Sequence, residues 1–542
     1  MASAMPHISA GGGGAAAARA LSSGAGRSDS AFARTPMYSK PLDDDEHAAM
    51  NRMRKGVLQV FVHKIKNQWR QPWSKARPSS SRGSAFIVDL AKKIIVTNAH
   101  VAAFASTIEV RIDGDDDKHE ARVLAVAHQV DIAILSVENP AFWASAVALE
   151  VGDDPREQQH VDVVGFPEGD EEASITSGVV SKIGWKAYSH SESENLCITI
   201  DAAINGGNSG GPCISKGKVV GINFQGRNDA QNIGHIIPAS VLKRTLEDFH
   251  GAQAAGASAA LKGFASFAPT VQPLENEALR RSQELPEGQA GGILVTTVPR
   301  VSNLHGVLEP GDVIVAVDGK GVSKDGRVHR AGGMSLIDFR ADITMKLVGE
   351  PLRYTVFRRG EKEPRELSVA AERAPQLTPK TWFGETSFSI FAGLVLTPVL
   401  DGELGREADM YGGHMRSAYK ASGRKHEHAH QQLVMVVTQL PHRLMLGYEH
   451  DPFAPLVSID GAEVLCLADA HRLCAASPGP FTTFVFADDS RVVLPTAESR
   501  AATLDLMHKH GIAKQASDDV IAAAAAASAA AAAPPAATSA AP

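Results

Sequence analysis

Gly206-Gly207-Asn208-Ser209-Gly210-Gly211-Pro212 is the stretch on which the reading of this chain turns. A serine hydroxyl is a weak nucleophile unless a base stands beside it, and the anion it raises on a carbonyl needs N–H groups aimed at that oxygen. Glycines ahead of Ser209 let the backbone bend so that bare N–H groups approach a substrate, and glycines behind it leave room for an incoming chain. A Gly/Ser turn of no chemical consequence is the plainer reading of any such run. It requires that all seven residues fall together without purpose.

Working outward, Thr97-Asn98-Ala99-His100-Val101 follows directly on a strand-like segment and supplies a base. Asp131-Ile132-Ala133-Ile134-Leu135 opens another such segment and supplies a carboxylate. A lone histidine in that setting is usually structural, but His100 comes with both partners. The order His, Asp, Ser is that of the chymotrypsin class, not of subtilisins or α/β-hydrolases.

The surroundings read as short strands. Val57–Lys64 alternates along its length, and further strands are expected at Ser84–Val88, Lys93–Thr97, Ile108–Ile112, Ala121–Ala127, Ile132–Val137, Val161–Gly165, Gly178–Ile183, Leu196–Asp201 and Lys218–Phe224. Turn residues separate them, which argues for an all-β sandwich or a pair of barrels. Val241, Leu242, Leu246 and Phe249 then recur at helical spacing, so Pro238–His250 is expected to be a helix closing this domain. Gly251–Gly263 has the composition of a linker.

Together these motifs resemble the HtrA/Deg family of serine proteases, and the resemblance covers nearly all of the chain after residue 50. It extends to Asp201-Ala202-Ala203-Ile204-Asn205, Val163-Val164-Gly165-Phe166-Pro167 and Gly234-His235-Ile236-Ile237-Pro238. Pro72-Trp73-Ser74-Lys75-Ala76-Arg77, Gly83-Ser84-Ala85-Phe86 and the segment from Ala502 to Asp519 are similar to the plant and algal branch. The fold implied is mostly β: a trypsin-like double β-barrel protease domain followed by two PDZ-like α+β domains. The boundaries expected are a leader at 1–48, the protease domain at 52–252 and a linker at 253–263. A PDZ domain follows at 264–374, a divergent second PDZ-like domain at 380–519, and a disordered Ala/Pro-rich tail at 520–542.

The resemblance implies a serine-type endopeptidase in which Ser209 attacks, His100 moves the proton and Asp131 orients the imidazole. Gly207 and Ser209 would form the oxyanion hole through their N–H groups. Ala203, Ile204 and Asn205, with Gly221, Ile222 and Asn223, match the segments that line the substrate pocket. With no acidic residue at the pocket floor, cleavage after small or medium aliphatic residues is expected. In the PDZ domain, Gly291, Gly292, Ile293 and Leu294 match the peptide-binding loop and strand, although Ser323–Gly333 reads as an insertion. The family also implies ATP-independent removal of unfolded or damaged proteins and homo-oligomers, as trimers or multiples of three. Two rival readings stand beside it: a holdase or scaffold on a protease fold, and a processing protease with one specific substrate.

Composition narrows the remainder. A formal charge of −7 over 542 residues argues against bulk nucleic-acid binding. Arg52–Arg77 holds eight Lys/Arg and no acid, with Trp69 and Trp73 interleaved. Because it falls on the family's first strand and the loop after it, a structural role is favoured over a nucleic-acid or lipid surface. Neither a metal nor an organic cofactor is expected. His426, His428 and His430 alternate as zinc ligands sometimes do, but a solvated loop is the plainer reading. Asp113–Asp117 reads as a solvated hairpin turn. Cys197, Cys213, Cys466 and Cys474 read as free thiols, with a Cys197–Cys213 bridge left open. No run is long and apolar enough for a membrane helix. Residues 1–41 carry Arg19, Arg27 and Arg34 in an Ala/Ser/Gly-rich context with Asp29 the only acid. That suits a chloroplast or mitochondrial transit peptide, the alternative being an unaddressed tail on a nuclear or cytosolic protein.

Overall fold

The computed structural model describes residues 50–532, apart from 168–169, 227–232, 257–259, 287, 290, 331–335, 374–375, 379–385, 401–425 and 449–453. The expected leader therefore lies outside the described residues, as does the end of the tail.

Two closed six-stranded barrels open the fold. The first contains β1 (Val57–Lys64), β2 (Ser79–Asp89), β3 (Ile94–Thr97), β4 (Ala105–Ile112), β5 (His119–Ala127) and β6 (Ile132–Val137), in the order β1-β2-β3-β6-β5-β4. The second contains β7 (His160–Gly165), β8 (Ser174–Ala187), β9 (Glu194–Ile200), β10 (Pro212–Ser215), β11 (Lys218–Gly226) and β12 (Gly234–Pro238), in the order β10-β11-β12-β9-β8-β7. All neighbouring strands are antiparallel.

The two-residue period of a strand explains how one sequence fills two layers. Leu58, Ala85, Ile87, Ile95, Ala133 and Leu135 fill the first barrel. Their chain neighbours Val57, Phe86, Val96, Ile132 and Ile134 face a second cluster that includes Val164, Phe166, Ile214, Ile222 and Ile237 of the other barrel. The seam between the barrels is therefore apolar, and the helix Ala239–Ala254 closes onto it through Val241, Leu242 and Phe249. Sequence reading missed β10 and β12 as strands. Both are short and begin at Pro or Gly, and barrel closure supplies their hydrogen-bond partners.

A second unit is a sheet in which β13 (Thr270–Pro273), β14 (Ile293–Thr297) and β15 (Val313–Val317) are followed by Pro351–Phe357 and Arg365–Ala370. A short helix spans Arg340–Thr344, and Leu336–Asp338 before it is strand, paired with Arg327–His329. Within the insertion-like stretch, Arg327–His329 is thus one strand of an antiparallel pair. The third unit has a three-stranded sheet (Ser389–Phe391, Leu394–Pro398, Val434–Gln439) and a four-stranded one that includes Phe481–Phe486 and Arg491–Pro495. Trp69 and Trp73, from the loop between β1 and β2, pack into it against Phe388, Ile390, Val395 and Val437. The Trp73 and Phe388 rings meet edge-on at 6.1 Å.

One expectation is overturned at the C-terminus. The tail from residue 520 is helical over Asp518–Ala532. Alanine has the highest helix propensity, Asp518 and Asp519 sit where the helix dipole favours acids, and Val520 and Ala524 are buried. All four cysteines are free, and burial pushes the Cys197 thiol up to about 12. Among the described residues no helix is long and apolar enough to cross a membrane.

Candidate active site

The first barrel brings His100 and Asp131 together. Strand β3 ends at Thr97, a single helical turn Ala99–Ala102 follows, and His100 lies on it one-third exposed. Asp131 follows the short helical turn His128–Val130 with φ at 55°, a left-handed conformation that aspartate tolerates better than most residues. That backbone presents its carbonyl to Ala99 N at 3.1 Å and to Asn98 Nδ2 at 2.9 Å. The fully buried carboxylate takes the His100 backbone N–H on Oδ1 at 2.9 Å and His100 Nδ1 on Oδ2 at 2.8 Å. A carboxylate accepts hydrogen bonds, so Nδ1 is the ring nitrogen that donates to Asp131, and Nε2 is left for another partner.

Ser209 comes from the loop that leads into β10. Gly207 and Gly210 adopt φ of 95° and 88°, which a side chain would strain. Turns from Asn208 N to Asn205 O (3.1 Å) and from Gly211 N to Asn208 O (3.0 Å) curl the loop. Among the described residues, neither the Gly207 N–H nor the Ser209 N–H donates to another group. The Ser209 hydroxyl donates to Phe224 O at 3.4 Å and makes no hydrogen bond to His100. Asn208, between the two free donors, is buried, and a Cβ on Gly165 would come within 2.9 Å of its Oδ1.

The pocket residues divide. Ile222 and Asn223 are fully buried, Ile222 in the seam cluster and Asn223 holding Val164 O and Pro212 O through Nδ2 at 3.2 and 3.1 Å. As consecutive residues of β11 they lie on opposite faces of the strand, Ile222 toward the seam and Asn223 toward the carbonyls it holds. Gly221 is packed against Ile237 O. Ala203 and Asn205 act through their carbonyls, which accept from Thr176 Oγ1 and Asn208 N, while Ile204 is half-buried against Gly234. Residues 227–232, next after β11, lie outside the described residues.

The expectation for Gly291–Leu294 is also corrected. Ile293 and Leu294 pair with Pro273 and Gln272 of β13 on one side and with Ile314 and Val313 of β15 on the other. No ladder positions remain there for an added strand. Gly292 has φ at 125° and closes tightly over Val313.

Sequence reasoning missed the surroundings of His100. Lys64 Nζ donates to His100 O at 3.0 Å, and burial, with Lys66 adding, lowers its pKa to about 8. His190 lies 6.0 Å from the His100 ring, and its Nε2 is 3.0 Å from His128 Nδ1. Burial and His190 push His128 down to about 3, against an upward pull from Asp131. These residues carry no motif, and only the fold brings the loop between β8 and β9 to the turn before Asp131. His428 and His430 stack at 5.8 Å, and among the described residues no group of three His, Cys, Asp or Glu is placed to hold a metal ion.

Residues 83–222 match the trypsin-like peptidase domain family, and residues 379–519 match the PDZ domain family. Two barrels of this order and matching domain make the chain a serine-type endopeptidase of the chymotrypsin-like class. Protease Do-like 2, chloroplastic, of Arabidopsis thaliana is 32% identical over 468 residues, covering 86% of this chain and 75% of its own. Protease Do-like 4, mitochondrial, of the same plant is 34% identical over 345 residues, covering 63% of this chain and 64% of its own. Among solved structures, HtrA-type protease AlgW with tripeptide is 27% identical at a TM-score of 0.45, covering 61% of this chain and 98% of that one. The chain belongs to the HtrA family of Deg, or Do-like, proteases.

Proposed function

We propose that His100, Asp131 and Ser209 are the catalytic triad of this endopeptidase and that its substrates are unfolded or damaged proteins, cut without ATP. The observation that carries the reading is the His100–Asp131 contact of 2.8 Å, which sets the imidazole tautomer, beside a serine loop with two unused N–H donors. Ser209 Oγ bonds to the scissile carbonyl carbon while His100 Nε2 takes its proton. The N–H groups of Gly207 and Ser209 receive the oxyanion. As the tetrahedral adduct collapses, the C–N bond breaks and His100 returns the proton to the leaving amine. Water, activated by the same imidazole, then releases the acyl group from Ser209.

Cleavage after small or medium aliphatic residues is part of the proposal, since the pocket-segment residues left open, Ala203, Ile204 and Asn205, carry no charge. An organellar site, chloroplast or mitochondrion, is supported by the addresses in the relatives' names and by the Arg-bearing, acid-poor leader. Assembly into a homo-oligomer is proposed from family membership alone.

The decisive experiment compares casein degradation by the chain lacking residues 1–41 with its Ser209→Ala variant. Turnover by the parent and none by the variant is expected. A second reading, holdase action, draws on the Ser209 hydroxyl being turned to Phe224 O rather than His100. Suppression of aggregation by Ser209→Ala, with no turnover by the parent, would favour it.

A further inference from the structure

A nucleophile and its base must meet within hydrogen-bond distance, yet His100 and Asp131 belong to the first barrel while Ser209 stands at the head of β10 in the second. Something must hold the two halves in register. We propose that Ser84 is a positioning residue that does so, tying the strand before His100 to the loop that carries Ser209; this rests on the triad reading above.

Ser84 lies in β2 and is fully buried. Its backbone N–H donates to Ser209 O at 2.8 Å. Its hydroxyl donates to Gly207 O at 2.7 Å and accepts from Phe166 N, just beyond β7, at 2.9 Å. Its carbonyl accepts from Thr97 Oγ1 at 2.7 Å, three residues before His100. One side chain and its own peptide groups thus pin the carbonyls of both Gly207 and Ser209, the residues whose N–H groups face the oxyanion site. The same residue reaches back to the strand that delivers the base.

The glycines of the motif are shaped to this contact. A Cβ on Gly210 would lie 2.1 Å from Ser84 O and 2.3 Å from Thr97 Oγ1, and one on Gly165 would lie 2.9 Å from Ser84 Oγ. Both positions need glycine because the second barrel's backbone runs directly against Ser84. The bland alternative is a buried hydroxyl that merely satisfies its own polarity. Ser215 is such a group: at the far end of β10, it donates to His160 O at 2.6 Å and accepts from Gln159 Nε2 at 2.9 Å, with no partner near the site. Ser84 differs in that each of its partners either borders the serine loop or leads to His100.

The test measures kcat and KM on a fluorogenic peptide, and inhibition by the matching peptide aldehyde, for the parent, Ser84→Ala, Ser84→Thr, Thr97→Val and Ser215→Ala. Small displacements of reacting groups lower kcat steeply, so Ser84→Ala is expected to lose about 10- to 100-fold in kcat with KM within about threefold. Aldehyde binding, which mimics the tetrahedral state, should weaken in proportion. Ser84→Thr retains the hydroxyl and recovers most of the loss. Thr97→Val, of the same shape, lowers kcat by several-fold and serves should Ser84→Ala fail to melt cooperatively. Ser215→Ala keeps the parental kcat. The proposal is overturned if kcat of Ser84→Ala stays within about twofold of the parent or if Ser215→Ala falls as far, given that kcat reports chemistry and not mere binding. Parental kcat in Thr97→Val overturns the link to His100. Turnover persisting in Ser209→Ala would strike the triad reading instead, a separate and recognisable result.

Discussion

The two barrels have the same number of strands and the same closed form, yet they hold their halves of the site by different means. In the first, side chains and backbone share the holding: Asn98, Ala99 and His100 converge on a buried Asp131 through four hydrogen bonds, two of them from side chains. In the second, Ser209 is carried by a loop of tight backbone turns whose glycines adopt positive φ, and its hydroxyl points to a carbonyl. The His100–Asp131 half is already joined by hydrogen bonds around a buried carboxylate, while the Ser209 hydroxyl is bonded to Phe224 O rather than to His100. A His–Asp pair around a buried carboxylate tolerates little movement, because an unpaired carboxylate in that place is costly. A serine hydroxyl is neutral and can wait in a second hydrogen bond at small expense.

The comparison is most sharply tested by removing each half. Ser209→Ala should lower kcat by about 10⁶, in line with loss of the nucleophile in other triads. Asp131→Asn should cost about 10⁴, because an amide stabilises the wrong imidazole tautomer while leaving the shape intact. Peptide hydrolysis at saturating substrate measures both, and equal losses would show that the two halves do not differ as described.

A smaller effect separates side-chain from backbone support. Gly210→Ala forces a Cβ against Ser84 O in a left-handed turn, so activity and cooperative melting should both fail, whereas an alanine at the exposed Gly217, which has φ of 74° and open space, should cost about 1 kcal/mol. In the first barrel, Asn98→Ala leaves one donor fewer on Asp131 O and should destabilise by about 1–3 kcal/mol in chemical denaturation. Parental stability in Asn98→Ala would mean that Asp131 is held by the Ala99 and His100 donors alone.

The smallest expected effect depends on pH. The folded chain holds His128 neutral down to about 3, while the unfolded chain takes up a proton near the ordinary imidazole value of about 6.5. Between those values the unfolded state binds more protons, so stability rises with pH through the window and is lost as acid is added. His128→Gln should flatten that slope in melts taken from pH 6.5 downward, and an unchanged slope would assign the acid sensitivity to other groups.

The fold and the protease class were legible beforehand for particular reasons. His100, Asp131 and Ser209 stand in motifs whose residue types the chemistry dictates, and strands such as Ile132–Val137 betray themselves by unbroken β-branched and apolar residues. Other features left no such trace. Nothing along the chain announces that Asn223 Nδ2 holds the carbonyls of Val164 and Pro212. Gly291–Leu294 has the composition of a binding loop, but β13 already occupies the edge it would offer. The alanine tract reads as low complexity, yet it forms a helix that buries Val520 and Ala524 in the third unit.

By itself, then, the sequence determined the chemistry and the class of fold: a serine in a glycine-rich loop, a base and a carboxylate each next to a strand, and a strand period that demands two packed layers. These are local facts, written in residue type and spacing. Only the tertiary structure decided that Ser84, more than a hundred residues before Ser209, meets both carbonyls of the serine loop, and that His190 stands beside His100. Such contacts are made across a seam between two barrels, where burial and hydrogen-bond saturation choose the neighbours and no periodicity along the chain records the choice.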